Sequence, residues 1–279
     1  MSVSLDELLV MAGRRLDAAG SPSPRRDAEM LLCHVLGVER SWLYTWGDRA
    51  SDVEVRARFE ILVAARAQGR PVAYLLGYRE FWGLALETSP TTLIPRPDTE
   101  TLVTVSLEHG VRSRGRFLDL GCGTGAVALA FASERPQWHV LGVDVVHDAV
   151  MLAQRNAVRL GIDNADFRVS DWFASIEERE FDVIAANPPY LSDDDPHLDH
   201  GDVRFEPRSA LVASAHGLGD LRSLIARAGH HLKRKGWLFL EHGAEQGEVV
   251  RGMLLEAGYG DVVTRTDLGG RERVSGGRC

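Results

Sequence analysis

The chain has 279 residues, of which 44% are hydrophobic and 26% charged, and a formal net charge of −8. That length allows two domains and a sizeable core, and the acidic balance argues against a surface that coats nucleic acid, though not against a local basic groove. No apolar run reaches a membrane span, Met1-Ser-Val-Ser-Leu-Asp-Glu lacks the basic start and apolar centre of a signal peptide, and Cys33, Cys122 and Cys279 fit neither a disulfide framework nor a zinc pattern, so a cytoplasmic protein is expected.

Residues 1–75 read as a helical domain. Ser4 with Glu7 makes a capping box, and Leu5, Leu8, Leu9, Ala12 and Leu16 follow at helical spacing until Gly20. Ser23-Pro24 starts a second helix that Gly37 ends. Ser51 with Glu54 predicts another capping box, leading into Val55, Phe59, Leu62 and Val63, and Gly69 and Pro71 close the segment. Trp42, Tyr44 and Trp46 are expected to pack between helices as local core. Across 76–95 the pattern becomes extended, with a turn at Ser89-Pro90 between Tyr78–Glu87 and Thr92–Ile94, and a hairpin linker is expected. Asp98 or Thr99 would cap the next helix.

From 96 to 279 strands and helices alternate, which predicts a mostly parallel sheet with helices on both faces. The expected strands are 117–120, 140–144, 166–170, 181–186 and 237–241, with a closing pair at 262–266 and 272–275. The helices are expected near 126–132, 149–160, 221–232 and 245–257.

Four constellations carry chemistry. Asp119-Leu-Gly121-Cys122-Gly123-Thr124-Gly125 joins the first strand of this domain to its helix. Glycines let the backbone approach a ligand, and Ala126 stands where a dinucleotide fingerprint wants its third glycine. An acid two positions before the glycines instead resembles the S-adenosylmethionine loop of Rossmann-like methyltransferases, where it helps hold a cationic amino-acid end. Cys122 reads as a small turn residue. Asp144, about twenty residues on, matches a ribose-binding carboxylate, with a helix cap as the competing reading. After the third strand, Trp172 is expected along an adenine face and Asp171 on its exocyclic amine, unless Trp172 is core. Asp193-Asp-Asp-Pro-His197-Leu-Asp199-His200 has metal-ligand residue types, but its spacing suits a solvated lid, and no metal is expected. His242 reads as structural.

The fourth constellation is Asn187-Pro188-Pro189-Tyr190. A buried strand must stop at two prolines, which cannot donate to a ladder and which fix their own φ. The result is a stiff platform at the carboxyl end of a strand, suited to gripping a planar NH2 group. An amide nitrogen is a poor nucleophile because its lone pair is delocalised into the carbonyl. The Asn187 oxygen and the Pro188 carbonyl could accept both of its hydrogens, aim it at a methyl group and disfavour the conjugated form. Tyr190 would wall the pocket.

The chain resembles the release-factor glutamine N5-methyltransferases, sometimes called the HemK family. The resemblance rests on Arg70-Pro-Val-Ala-Tyr-Leu-Leu-Gly-Tyr-Arg-Glu-Phe-Trp-Gly-Leu, Ile94-Pro-Arg-Pro-Asp-Thr-Glu100, the Gly121 loop and Asn187 to Tyr190. It extends to Val203-Arg-Phe-Glu-Pro207, Glu241-His-Gly with Gln246, and Asp267-Leu-Gly-Gly-Arg-Glu-Arg273. It implies S-adenosyl-L-methionine as donor, S-adenosyl-L-homocysteine as product, and the Gly-Gly-Gln glutamine of class I peptide chain release factors as acceptor. It implies donor contacts at Gly121 to Gly125, Asp144, Trp172 and Asn187, the substrate glutamine on Asn187, Pro188, Pro189 and Tyr190, and release-factor docking on the N-terminal helices; separately, a monomer is expected. Where the family has a Gly-x-Asp-Gly-Leu turn, this chain has Ser214-Ala-His-Gly-Leu218, which leaves the geometry of that loop open. Two other readings are a methyltransferase for a different NH2 group, in a ribosomal protein or a nucleic-acid base, and a donor-binding scaffold without turnover.

Overall fold

The computed structural model describes residues 3–279. They form two compact units, one of residues 3–78 with Pro196–Phe205 and one of Arg79–Asp195 with Glu206–Cys279.

The smaller unit contains α1 (Leu5–Ala18), α2 (Pro24–Leu36), α3 (Arg40–Trp46), α4 (Val53–Ala67) and α5 (Val72–Leu76). The capping box at Ser4 and Glu7 forms in both directions, and Gly37 ends α2 in the left-handed conformation. One expected cap does not form, and another holds its position without a side-chain bond to the helix backbone. Ser51 donates its hydroxyl to the Val3 carbonyl, so Asp52 stands at the N-cap of α4. The Ser23 hydroxyl goes to Asp27. Leu9, Leu16, Leu31, Leu32, Phe59 and Val63 make the core. Of the aromatic cluster on α3, Trp42 packs against that core, but Tyr44 and Trp46 do not and are 68% and 41% exposed. Arg66 is buried with Asp27 (2.7 Å) and also pairs with Asp202 of the inserted segment (2.7 Å). A buried cation of this kind needs both partners, because desolvation opposes its charge.

The larger unit starts with a two-stranded sheet of β1 (Tyr78–Phe81) and β2 (Leu84–Glu87). Its turn is Trp82-Gly83, both at positive φ, the geometry that fits two twisted strands. The turn at Ser89-Pro90 forms as well, with the Thr92 N–H donating to the Ser89 carbonyl at 3.1 Å, but it is not the hairpin's turn, and Thr92–Ile94 is not a strand. Phe81 and Leu86 pack into the main core of this unit.

After α6 (Glu100–His109) come β3 (Arg116–Leu120), α7 (Ala126–Glu134), β4 (His139–Asp144), α8 (His147–Leu160), β5 (Ala165–Val169) and β6 (Phe181–Ala186). A short turn, α9 (Ser214–Gly217), precedes α10 (Gly219–Ala228), β7 (Leu232–Glu241), α11 (Gly247–Glu256), β8 (Gly260–Thr266) and β9 (Glu272–Arg278). The seven strands lie in the order β5-β4-β3-β6-β7-β9-β8. All pairings are parallel except those of β9. The helix expected at 221–232 stops at Ala228, and β7 begins at Leu232. Every residue of β6 is buried, and a strand covered on both faces reads as a continuous apolar run.

The order reverses between β3 and β6, since β3 leads outward to β4 on one side and β6 leads to β7 on the other. Open α/β sheets bind ligands at such a switch point, beyond the carboxyl ends of the strands. Leu120 pairs with Ala186, so the loop after β3 and the Asn187 platform after β6 leave the sheet side by side.

Candidate active site

A cavity of about 270 Å³ opens at this switch point, within the larger unit. Its walls include Asp119, Gly121, Cys122, Gly123, Thr124, Asp144, Asp171, Trp172, Asn187 and Pro189. Gly125, Pro188 and Tyr190, which the sequence also nominates, are not among the lining residues. Gly125 shapes the turn instead: it sits left-handed at the start of α7 and accepts the Leu129 N–H. Pro188 is buried and Tyr190 half-buried, continuing the platform beyond the cavity.

The loop after β3 is clamped by backbone. The Gly121 and Cys122 N–H groups both donate to the Val143 carbonyl at 2.8 and 2.9 Å. Gly121 has φ 76°, and a Cβ there would meet the Trp172 ring at 3.2 Å, so glycine alone suits both the conformation and the space. Asp144 accepts the Gly123 N–H on Oδ2 and the Val146 N–H on Oδ1, each at 2.9 Å. It therefore ties the turn before α8 to the glycine loop, and a carboxylate with two such bonds keeps lone pairs for hydroxyl donors. Asp119 is buried and accepts the Ala128 N–H at 3.0 Å. Burial first, and the charge of Asp144 after it, push its pKa up to about 7. Burial likewise raises Asp144, against the backbone donors that hold it down. Cys122 is buried and its thiol is pushed upward by burial and by both carboxylates, the opposite of what activates a nucleophile. Two carboxylates around a roomy, largely apolar space fit a ligand with a cationic end and a ribose.

Trp172 holds a left-handed φ of 48°, and its side chain hydrogen-bonds Asp220. Asp220 also lines the cavity and was not legible as a site residue. Ser170 accepts the Ser175 N–H and donates to the Trp172 carbonyl, which fixes that turn.

Asn187 points into this space, with Nδ2 donating to the Thr99 hydroxyl at 3.3 Å. The platform behind it is assembled from distant segments. Glu206 accepts the Ile94 N–H at 3.0 Å and pairs with Arg96, so the Ile94–Glu100 stretch is tied to Glu206. Arg273 pairs with Asp98 at 3.3 Å and with Asp267 at 3.1 Å. Gln246 accepts the Gly243 N–H and donates to the Tyr190 carbonyl at 3.1 Å. Ala215 and His216 both hold φ above 50°, and a Cβ on Gly217 would lie 2.1 Å from the Tyr190 oxygen. The divergent turn thus abuts the platform directly. His242 is fully buried, bonded to the Gly243 carbonyl and the Ser275 hydroxyl at 2.8 Å each, and burial lowers its pKa, consistent with a structural part. Among the described residues no cluster of His, Cys, Asp and Glu could hold a metal, and no helix is long and apolar enough to cross a membrane.

Comparison with known proteins agrees with this architecture. The PrmC N-terminal domain family matches residues 7–77, and the methyltransferase small domain family matches residues 98–203. A release factor glutamine methyltransferase of Vibrio cholerae is 48% identical over 279 residues, covering 100% of this chain and 98% of its own. The chain belongs to the release factor glutamine methyltransferase family. A Pseudomonas aeruginosa member is 51% identical over 92% of this chain and 94% of its own, and one from Escherichia coli 49% identical over 92% and 93%. Among solved structures, a methyltransferase from Pyrococcus furiosus matches with a TM-score of 0.54 at 20% identity, covering 70% of this chain and 89% of that one. That likeness concerns the fold. The family is one of S-adenosylmethionine-dependent enzymes, and open α/β sheets take ligands at a switch point of the β3–β6 kind.

Proposed function

We propose that the chain transfers a methyl group from S-adenosyl-L-methionine to the side-chain amide nitrogen of a release-factor glutamine, the one in the Gly-Gly-Gln motif of class I factors. One observation carries the reading. Asn187 borders the donor cavity on a proline-locked platform, with its nitrogen engaged by Thr99 and its oxygen left for an incoming donor. The glutamine amide would give its two hydrogens to Asn187 Oδ1 and the Pro188 carbonyl. Its nitrogen would then face the sulfonium methyl, and Tyr190 would cover the reacting amide. The donor supplies an electrophilic methyl and a neutral thioether leaving group. After transfer the quaternised nitrogen is acidic and loses its proton without a strong base. Orientation does most of the work, and holding two reactants in line is worth about 7–11 kcal/mol.

In this reading Gly121, Gly123 and Thr124 hold the amino-acid end of the donor together with Asp119, while Asp144 takes the ribose and Trp172 with Asp171 the adenine. Release factors dock on the helical unit, in the cytoplasm. The decisive experiment incubates the chain with methyl-labelled donor and a bacterial release factor, then maps the label. Label on the Gly-Gly-Gln glutamine is expected. Label confined to a ribosomal protein or to RNA would replace this reading with the broader one of a methyltransferase for another NH2 group.

The Asp119 carboxyl gives a pH prediction. Its pKa near 7 in the free protein means that it is about half protonated at neutral pH. A cationic ammonium beside it favours the ionised form. Donor binding should then release a proton, and donor affinity should rise as pH increases through 7, by about tenfold between pH 6 and pH 8. Calorimetry in buffers of different ionisation enthalpy measures that proton directly. Proton uptake, or an affinity flat across this range, would remove Asp119 from the donor's cationic end.

A further inference from the structure

Thr99 and Glu241 lie behind Asn187, outside the residues to which the proposed chemistry assigns a role. Thr99 closes the short turn before α6 and is 5% exposed, and Glu241 ends β7 at 1% exposed. The Thr99 hydroxyl accepts the Asn187 Nδ2–H and is also the hydrogen-bonding side chain beside the Glu241 carboxyl. Glu241 Oε2 is buried without a hydrogen-bond partner. The other groups facing Glu241 are Arg273, Asp98, Arg96 and the Tyr190 hydroxyl.

We infer that Thr99 and Glu241 are positioning residues that set which end of the Asn187 amide is offered to the substrate. The inference rests on the role proposed for Asn187. An ionised carboxylate only accepts, so it turns the Thr99 O–H toward itself. The Thr99 oxygen is then an acceptor, and only the NH2 end of Asn187 satisfies it. Oδ1 is left as the acceptor that a glutamine amide requires. A protonated Glu241 reverses the chain: its O–H donates to Thr99, the Thr99 hydrogen turns to Asn187, and the amide rotates to present NH2 where the substrate also presents NH2. Two donors then face each other, which costs more than a missing bond. Burial raises the Glu241 pKa to about 7, while Thr99 and Arg273 oppose the rise, so the reversal falls within an accessible pH range.

The test uses the full chain with S-adenosyl-L-methionine and a release factor, both saturating, so that kcat is read apart from donor affinity. Wild-type kcat should fall about tenfold from pH 8 to pH 6, the span of one ionisation near 7. Glu241→Gln should flatten that limb. Thr99→Val should lower kcat at pH 8 by about tenfold, the worth of one aligned hydrogen bond, with a smaller change in KM, and should also flatten the profile. Thr99→Ser should restore both kcat and the limb. Melting curves and S-adenosyl-L-homocysteine affinity control for folding, and if Glu241→Gln does not fold, the Thr99 pair decides. An unchanged acid limb in Glu241→Gln, or wild-type kcat in Thr99→Val, overturns the inference. If Asn187→Ala itself keeps wild-type kcat, the role of Asn187 fails first. A severe Asn187→Ala loss with normal Thr99 variants sinks this inference alone.

Discussion

Replacing Asn187 with alanine is expected to lower kcat by about 10²–10³, the usual consequence of removing one preorganised hydrogen-bonding group from a reacting centre. The reason lies in where the side chain stands. β6 is buried throughout and pairs with β3 and β7, so its last residue cannot drift. Pro188 and Pro189 then hold the following backbone rigid. Alanine leaves this frame in place and removes the acceptor proposed to aim the substrate nitrogen, together with the bond to Thr99. Donor affinity should fall far less than turnover, because the other proposed donor contacts lie at the ends of β3, β4 and β5 and in the loops that follow them. Single-turnover rates with a release factor, set beside S-adenosyl-L-homocysteine affinity, give both numbers. Equal losses in the two would mean that Asn187 holds the donor and does not orient the acceptor.

Asp144→Ala should show the opposite pattern. Two hydrogen bonds to a charged group, at about 1.5 kcal/mol or more each, correspond to a loss of about 10²–10³ in donor affinity. The same change frees the Gly123 and Val146 N–H groups that the carboxylate now holds at 2.9 Å, which loosens the loop as well. Saturating donor should therefore recover most of kcat. Isothermal titration with S-adenosyl-L-homocysteine measures the effect, and a change under about threefold would exclude Asp144 from the ribose.

Much of the site was legible because its signals are local. A glycine run after a strand, an acid at the end of the next strand and a double proline after a third each carry their meaning within a few residues. The sheet's alternation was legible for the same reason. The turn of the hairpin was not, because Ser89-Pro90 is the stronger turn signal and nothing in a sequence says that Trp82 will accept a positive φ. The end of α10 was missed because apolar spacing continues from the helix through Leu232 into β7. Tyr44 and Trp46 fit a core by residue type, since aromatics bury large surfaces, yet α3 turns both outward. The support of the platform was illegible for a different reason. Thr99 read as a helix cap, and its bond to Asn187 spans 88 positions, while that of Arg96 to Glu206 spans 110. Only folding brings such pairs together, although the motifs that contain them stand out as resemblance.

The segment Pro196–Phe205 begins six residues after Tyr190, yet it is counted with the helices at the start of the chain, where Asp202 meets the buried Arg66. The polypeptide consequently crosses from one unit to the other three times, not once. Cutting at residue 78 would not release a finished catalytic half: it would strand ten residues whose natural neighbours had been removed, on the strand of chain that leads straight back to the prolines.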